Sequence, residues 1–303
     1  MALLKVEADK MSQNQMVAGL IEELITVNEM FGLLPFTQVN GKAYVYHRED
    51  MANMPTVSFL DPNDLVTEDA GKYLEVITQL RILAGDVDVD KFIMETQSDT
   101  NDQLATALAL KVKAMARQFQ DTSVNGSLVG NAKSFDGMKA LCTAAQTVNI
   151  AANGGALTLT ALDQLIDQVP NKPDFLVMRS GTRRAYTALV RAAQGNTASM
   201  IQHKNFDNPI LAHNGVPIIV NDWLPGNEVL GTSGAVTCSV YAVRANEADG
   251  LHGLYGGSDA GMRVELIGTV QNKDAIRTRV KWYCGMALKS TKSLARLNGL
   301  TNI

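Results

Sequence analysis

Cysteine is scarce in this chain of 303 residues: Cys142, Cys238 and Cys284 are the only three. They stand too far apart for a Cys-x-x-Cys metal knuckle. An odd, sparse set suits buried thiols in a reducing compartment. Charge is thin as well, at 19% of side chains where a quarter is usual. The 27 basic and 31 acidic residues leave a net charge of only -4, which excludes a dedicated cationic coat for nucleic acid. A surface so poor in charge is either rich in neutral polar groups or partly buried against other subunits. Aromatics are 6% and do not interleave with the basic residues, so no stacking platform for single-stranded nucleic acid is present.

Long apolar runs are missing too. The start, Met-Ala-Leu-Leu-Lys-Val-Glu, lacks the apolar stretch of a signal peptide. Ala140 to Leu162 carries no charge, but it holds Gln146, Asn149, Asn153, Gly154, Gly155 and four threonines, which lipid would not tolerate. A soluble chain of cytosolic origin with no membrane contact is expected. No Gly-x-x-x-x-Gly-Lys-Ser/Thr loop and no strand-borne Gly-x-Gly-x-x-Gly occurs. His47, His203, His213 and His252 show no helical ligand spacing. Asp86, Asp88 and Asp90 mimic the opening of a calcium loop, but the glycine and closing glutamate of that motif are absent; they read as an acidic strand or turn. No cofactor, metal site or catalytic residue is nominated. A nucleophile paired non-locally stays open, since triads are spatial.

What is there is 46% apolar, enough for a real interior in one large domain or two ordinary ones. Charge is segregated: residues 1 to 100 hold 17 acidic and 7 basic side chains, the remainder 14 and 20. Arg263 to Arg296 alone carries eight basic residues against Glu265 and Asp274. Either each end presents a solvated face, or acidic arm and basic body meet between copies of the chain.

The apolar spacing Met16, Leu20, Leu24, Val27, Phe31 predicts a helix ending near Gly32 to Pro35. Ala43 to His47 reads as a strand after a turn at Asn40-Gly41, and Leu74 to Leu83 as another. The long, acidic, irregular segment between them exceeds an ordinary hairpin loop and suits a binding element, a lid or a disordered segment. Ser98, Asp99 or Thr100 caps a helix through Thr122 with Leu104, Leu108, Val112, Met115 and Phe119 on one face. At about 1.5 Å per residue that rod is about 35 Å long.

Farther on, Thr158 to Val169 reads as a helix and Phe175 to Met178 as a buried strand. Ser180 caps a helix with Tyr186, Leu189 and Val190 inward, Gly195 to Asn208 is a polar loop, and Val216 to Val220 is a strand. Gly253 to Gly261 reads as a flexible connection. Met262 to Val270 and Ala275 to Met286 are long strands. The class is α+β.

The order of these elements, with several phrases at matching places, resembles the tailed-phage major capsid protein of the Hong Kong-type fold. Asn125-Gly126 followed by Ser134-Phe135-Asp136-Gly137-Met138 is similar to that family's loop after its spine helix. Phe175-Leu176-Val177-Met178 followed by Arg179, Gly181, Thr182 and Arg184 resembles its strand-to-helix step. Gly215-Val216-Pro217-Ile218-Ile219-Val220 is like the strand after its capsomer-centre loop.

The resemblance implies an N-terminal arm and helix (1–40) and an extended β-hairpin loop (41–80). It implies a peripheral domain with a long spine helix (81–138 and 259–287) and an axial α/β domain (139–258 and 288–303). Gly195 to Lys204 would lie near the capsomer axis and Gln271 to Asp274 near threefold contacts. Contact between copies would fall to Glu49, Asp50, Asp61, Asp64, Glu68 and Asp69 on the loop, and to Lys273, Asp274, Arg277, Arg279 and Lys281 on the basic strand.

The implied product is a structural, non-enzymatic virion protein. It self-assembles in the host cytoplasm into pentamers and hexamers of an icosahedral head around double-stranded DNA, touched without sequence specificity. A separate scaffolding protein, a portal and a decoration protein are the implied partners. Residues 50 to 69 contain no lysine and Thr278 stands about where some relatives place a crosslinking asparagine, so no covalent chainmail is expected. Two other readings stay open: an encapsulin-like bacterial nanocompartment, and a cytosolic enzyme with a non-local site.

Overall fold

The computed structural model describes residues 30–50, 53–96, 103–194, 200–201, 209–232, 234–257 and 261–302. The helix expected on Met16 to Phe31 lies outside them up to residue 29, its expected end falling in a described helix at Met30–Leu33. The caps at Ser98 to Thr100 and most of the Gly195 to Lys204 segment lie outside them as well. In chain order the elements begin with α1 (Met30–Leu33), β1 (Phe36–Val39), β2 (Ala43–Glu49), β3 (Tyr73–Gln79) and β4 (Arg81–Asp90). Next come α2 (Lys91–Thr96), α3 (Gln103–Asn125), α4 (Met138–Leu141), β5 (Thr147–Asn149), α5 (Leu159–Asp167) and β6 (Phe175–Met178). Then follow α6 (Ser180–Gln194), β7 (Met200–Ile201), β8 (Ile210–His213), β9 (Val216–Val220) and β10 (Glu228–Val229). The chain closes with β11 (Val236–Val243), β12 (Leu251–Gly256), β13 (Arg263–Thr269), β14 (Ala275–Leu288) and β15 (Leu294–Leu300). The mixture is α+β, as expected.

Two compact units divide the chain, with boundaries inside β4, α3, β13 and β14. The larger takes Thr26–Ala84, Ala114–Arg263 and Lys281–Ile303. Its main sheet runs β5-β15-β11-β6-β9-β8-β7, with β10 beside β11. Strand β11 is internal, antiparallel to both β15 and β6. Helices α5 and α6 supply Leu162, Leu165 and Tyr186 to the core with Leu176, Met178, Ile218, Val240 and Leu297. Thr158 caps α5 by accepting the Ala161 N–H, as its place before an apolar run dictates. Ser180 is instead the first helical residue of α6, and Asp222 Oδ1 accepts its N–H at 3.2 Å.

Three sequence expectations need correction here. Gly253 to Gly261 is not simply a flexible connection, because Leu251–Gly256 is the buried strand β12, parallel to β1 and antiparallel to β14. Its glycine serves packing: a Cβ on Gly253 would lie 2.3 Å from the Phe36 ring, the close approach that an in-strand glycine permits. Gly195 to Asn208 is not all loop, since β7 pairs with β8. The single strand-like run from Leu74 is two strands parted at Leu80.

Helix α3 reaches Asn125, three residues past Thr122. Only Met115 and Phe119 of its predicted stripe are fully buried; Leu104, Leu108 and Val112 are half-buried. In the smaller unit, which includes Gly85–Lys113 and Val264–Val280, Asp86 and Asp88 lie on β4 and Arg277 and Arg279 on β14. β4 and β13 both pair with β14.

Candidate assembly surfaces

Strands β2 and β3 form a regular antiparallel hairpin from Ala43↔Gln79 to Glu49↔Tyr73. Alternation puts Tyr44, Tyr46 and Arg48 on one face and Val45, His47 and Glu49 on the exposed other. The inner face is seated on the larger unit. Tyr46 Oη donates to the Leu288 carbonyl at 2.7 Å, Arg48 Nε to the Lys289 carbonyl at 2.5 Å, and Arg48 Nη2 to Leu288 as well.

Every residue from 53 to 75, through the loop and into the start of β3, is exposed. Val57 is 95% exposed, Phe59 wholly so, and Leu65 92%. The segment is nevertheless braced: Asp69 Oδ2 accepts both the N–H and the hydroxyl of Thr56, at 3.0 and 2.9 Å. Those bonds, the Thr56 N–H foremost, hold the Asp69 carboxyl below its ordinary range. Asp64 Oδ2 accepts the Asp61 N–H, and Asp50 Oδ2 accepts from Asn53 Nδ2. An apolar strip this extended on a lone chain marks an interaction surface.

The basic strand is arranged differently from the sequence expectation. Arg277 grips Asp88 through Nε and Nη2, both at 2.7 Å, and Arg279 grips Asp86 at 2.7 and 2.8 Å. These bidentate forks hold both aspartates below the ordinary carboxylate range and both guanidiniums above theirs. Lys91 Nζ meets Asp274 at 2.9 Å. Of the expected contact residues, then, Asp274, Arg277 and Arg279 have partners within their own unit. Glu49, Asp61, Glu68 and Lys273 are exposed, and Lys281 lies 5.9 Å from the Tyr283 ring centroid. Sequence reasoning misses Asp86 and Asp88 as partners. The signal is present all the same: Asp-x-Asp and Arg-x-Arg each put like charges on one face of a strand.

A third charged cluster has no counterpart among the sequence expectations. Glu228 is buried and accepts from Lys139 Nζ and Arg296 Nη2 at 2.7 Å each, and from the Ser239 hydroxyl. Burial alone would raise its pKa, but Lys139, Ser239 and Arg296 together bring it below the ordinary value.

Tyr186, His213 and Asp163 form one hydrogen-bonded chain. Tyr186 Oη lies 3.0 Å from the Ala212 carbonyl and 3.2 Å from His213 Nδ1, and His213 Nε2 lies 2.9 Å from Asp163. This chain cross-braces α5, α6 and β8, with Tyr186 buried. Burial raises all three thiol pKa values, that of Cys284 to about 12, far from a reactive thiolate. Among the described residues no group of three or more His, Cys, Asp or Glu side chains is placed to hold a metal ion. Among them, too, no helix is long and apolar enough to cross a membrane.

Comparison with known proteins gives a consistent answer. The profile of the SU10 major capsid protein family matches residues 75–251, more than half of the chain. Among solved structures, the holo-SrpI encapsulin complex from Synechococcus elongatus is 21% identical, covering 99% of this chain and 96% of that one, with a TM-score of 0.75. The capsid of a native GTA particle is 12% identical over 99% of both chains, TM-score 0.71. A chain of Mycobacterium phage Adephagia is 13% identical over 98% of both chains, TM-score 0.65. No curated protein matches. At these identities the structural likeness establishes the fold, which is the Hong Kong-type capsid fold. Joined to the profile match, it makes this chain a member of the SU10 major capsid protein family, a subunit of a virion shell.

Proposed function

We propose that this capsid protein builds the pentamers and hexamers of an icosahedral head enclosing the double-stranded DNA of a tailed phage, and that it does so without catalysing a reaction. The observation that carries this reading is the exposed apolar segment from 53 to 75 on a seated hairpin. A loop that leaves Val57, Phe59 and Leu65 in water is unfavourable in a single chain and favourable when each copy lays it on the next. Head-to-tail contact of that kind is heterologous and closes rings of five or six.

In this reading residues 1–40 are arm and helix, 41–80 the extended loop, 81–138 with 259–287 the peripheral domain, and 139–258 with 288–303 the axial domain. Glu49, Asp50, Asp61, Asp64, Glu68 and Asp69 face the neighbouring copy. Lys273, in the turn before β14, and Lys281, on β14, complement them, and Arg277 and Arg279 are met by Asp88 and Asp86. Assembly takes place in the host cytoplasm with a scaffolding protein, a portal and a decoration protein, and the inner wall touches DNA without reading it.

One observation favours a second reading, an encapsulin-like shell around protein cargo: the fold likeness to the SrpI encapsulin. The contents of the shell separate the two. The test is negative-stain electron microscopy of the chain expressed alone and with its scaffolding partner. Closed shells are expected from the wild type. The double variant Val57→Asp with Phe59→Asp should give chains with unchanged circular dichroism and no shells. A wild type that stays monomeric or dimeric in both samples overturns the reading; shells filled with protein and free of nucleic acid favour the encapsulin.

A further inference from the structure

The seat of the hairpin rests on a buried histidine. His252, on β12, is fully buried, and the Tyr44 ring stands edge-on to its imidazole with centroids 5.7 Å apart. Tyr44 in turn lies under the Lys289 ammonium, 5.6 Å from its ring centroid. Tyr44, Tyr46 and Leu80 pack on Val39, Leu254 and Ala287 to complete the seat.

His252 Nδ1 is 3.3 Å from the Gly250 carbonyl. A carbonyl only accepts, so Nδ1 carries the proton and the neutral ring presents a bare lone pair at Nε2. Nε2 has no partner. A second proton there would be a buried donor with no acceptor among the described residues, on a ring newly charged in an apolar seat.

We propose that His252 is a proton-operated latch: neutral, it seats the β2–β3 hairpin, and on protonation it drives the hairpin off so that the imidazolium reaches water. The surrounding charges fit this sense. Burial is the main force holding the imidazole neutral; the Gly250 bond opposes it, Lys289 adds to it, and Glu247 opposes it more weakly. Arg48 reaches the same strand end but is engaged with the Leu288 and Lys289 carbonyls, and Asp249 is paired with Arg244. Water is close at hand, since a cleft of about 570 Å³ lined by Tyr46, Arg48, Asp249, Lys289 and Lys292 opens beside the seat.

The sign follows from proton counting. Above the usual histidine value of about 6.5 neither state of the hairpin binds the extra proton, and the seat is at full strength. As pH falls below it, the released hairpin binds one proton more than the seated one. The seat then weakens by up to about tenfold per pH unit until the seated ring itself titrates. The use of the latch in shell assembly rests on the function proposed above; the latch itself does not.

The test is hydrogen exchange on the unassembled full chain between pH 8 and 5, read as protection factors so that the intrinsic pH dependence cancels. Protection at 43–49 and 73–79 should fall below about pH 6.5 by up to about tenfold per unit while β11 and β15 hold. His252→Phe, which keeps an aromatic ring in the seat, should remove the fall, and His252→Gln serves if the phenylalanine disturbs folding. His47→Gln, on the exposed face of the same hairpin, should leave the fall intact. Hairpin protection that is flat across this range in the wild type, or that falls equally in both His252 variants, overturns the latch. Electron microscopy decides the shell separately, so a wild type that forms shells without a pH-dependent hairpin sinks only the latch.

Discussion

At the scale of single residues, Glu228 shows how a buried charge is tolerated in this fold. Its two oxygens meet Lys139, Arg296 and Ser239, and Arg296 is itself largely buried. Removing the carboxylate strands Arg296, which is the costly direction. Glu228→Ala should lower stability by about 3 kcal/mol, measured by urea denaturation at pH 7. Because the folded carboxyl titrates below its ordinary value, this contribution is full above the usual glutamate pKa and is lost as pH falls through the lowered one. The wild type should therefore lose stability on acidification in a range where Glu228→Ala has none of this contribution left to lose. Nothing local in Pro225-Gly226-Asn227-Glu228-Val229-Leu230 announces the cluster; Glu228, Ser239 and Arg296 come from three strands of one sheet.

At the scale of elements, α3 is legible because its stripe repeats at helical spacing over many turns. Its partners are not. Phe119 lies 4.4 Å from Trp282 and 5.6 Å from Phe135 between ring centroids, and Phe36 stands 6.4 and 6.3 Å from Phe119 and Trp282. These aromatics come from a strand, a helix, a loop and a second strand, so only folding gathers them. Phe119→Ala should cost about 3–5 kcal/mol and change the Trp282 fluorescence of the folded chain, both read in one denaturant titration. Strands β6 and β9 are legible at their correct bounds because short apolar runs flanked by turn residues are strong signals. Strand β11, Val-Thr-Cys-Ser-Val-Tyr-Ala-Val, escapes sequence reading although it lies inside the main sheet between β15 and β6. Its threonine and serine disguise burial that their hydroxyl bonds to Glu228 make possible.

At the scale of the whole molecule, the expected absence of covalent chainmail becomes testable. The loop from 53 to 71 carries no lysine, and Thr278 is buried. Assembled shells boiled in detergent should run as a single band near 32.7 kDa, with no ladder of higher species. A ladder would mean that another pair of side chains, outside the loop and Thr278, joins the copies. Shell strength then has to come from area and charge between copies, which is what the exposed loop offers.

Taken by itself, the sequence determined the α+β class, the order of the strongly patterned elements, the long helix, the extended hairpin and, through matching phrases, the capsid resemblance. These properties depend on local spacing or on order along the chain, which the chain carries openly. Tertiary structure alone decided which charges are spent. It closed Arg277 and Arg279 on Asp88 and Asp86, gathered Lys139 and Arg296 around Glu228, turned a glycine-rich stretch into a buried strand, and put His252 beneath Tyr44. Each of those contacts joins residues remote in sequence, and the energy of a charge or an imidazole depends on what surrounds it in space.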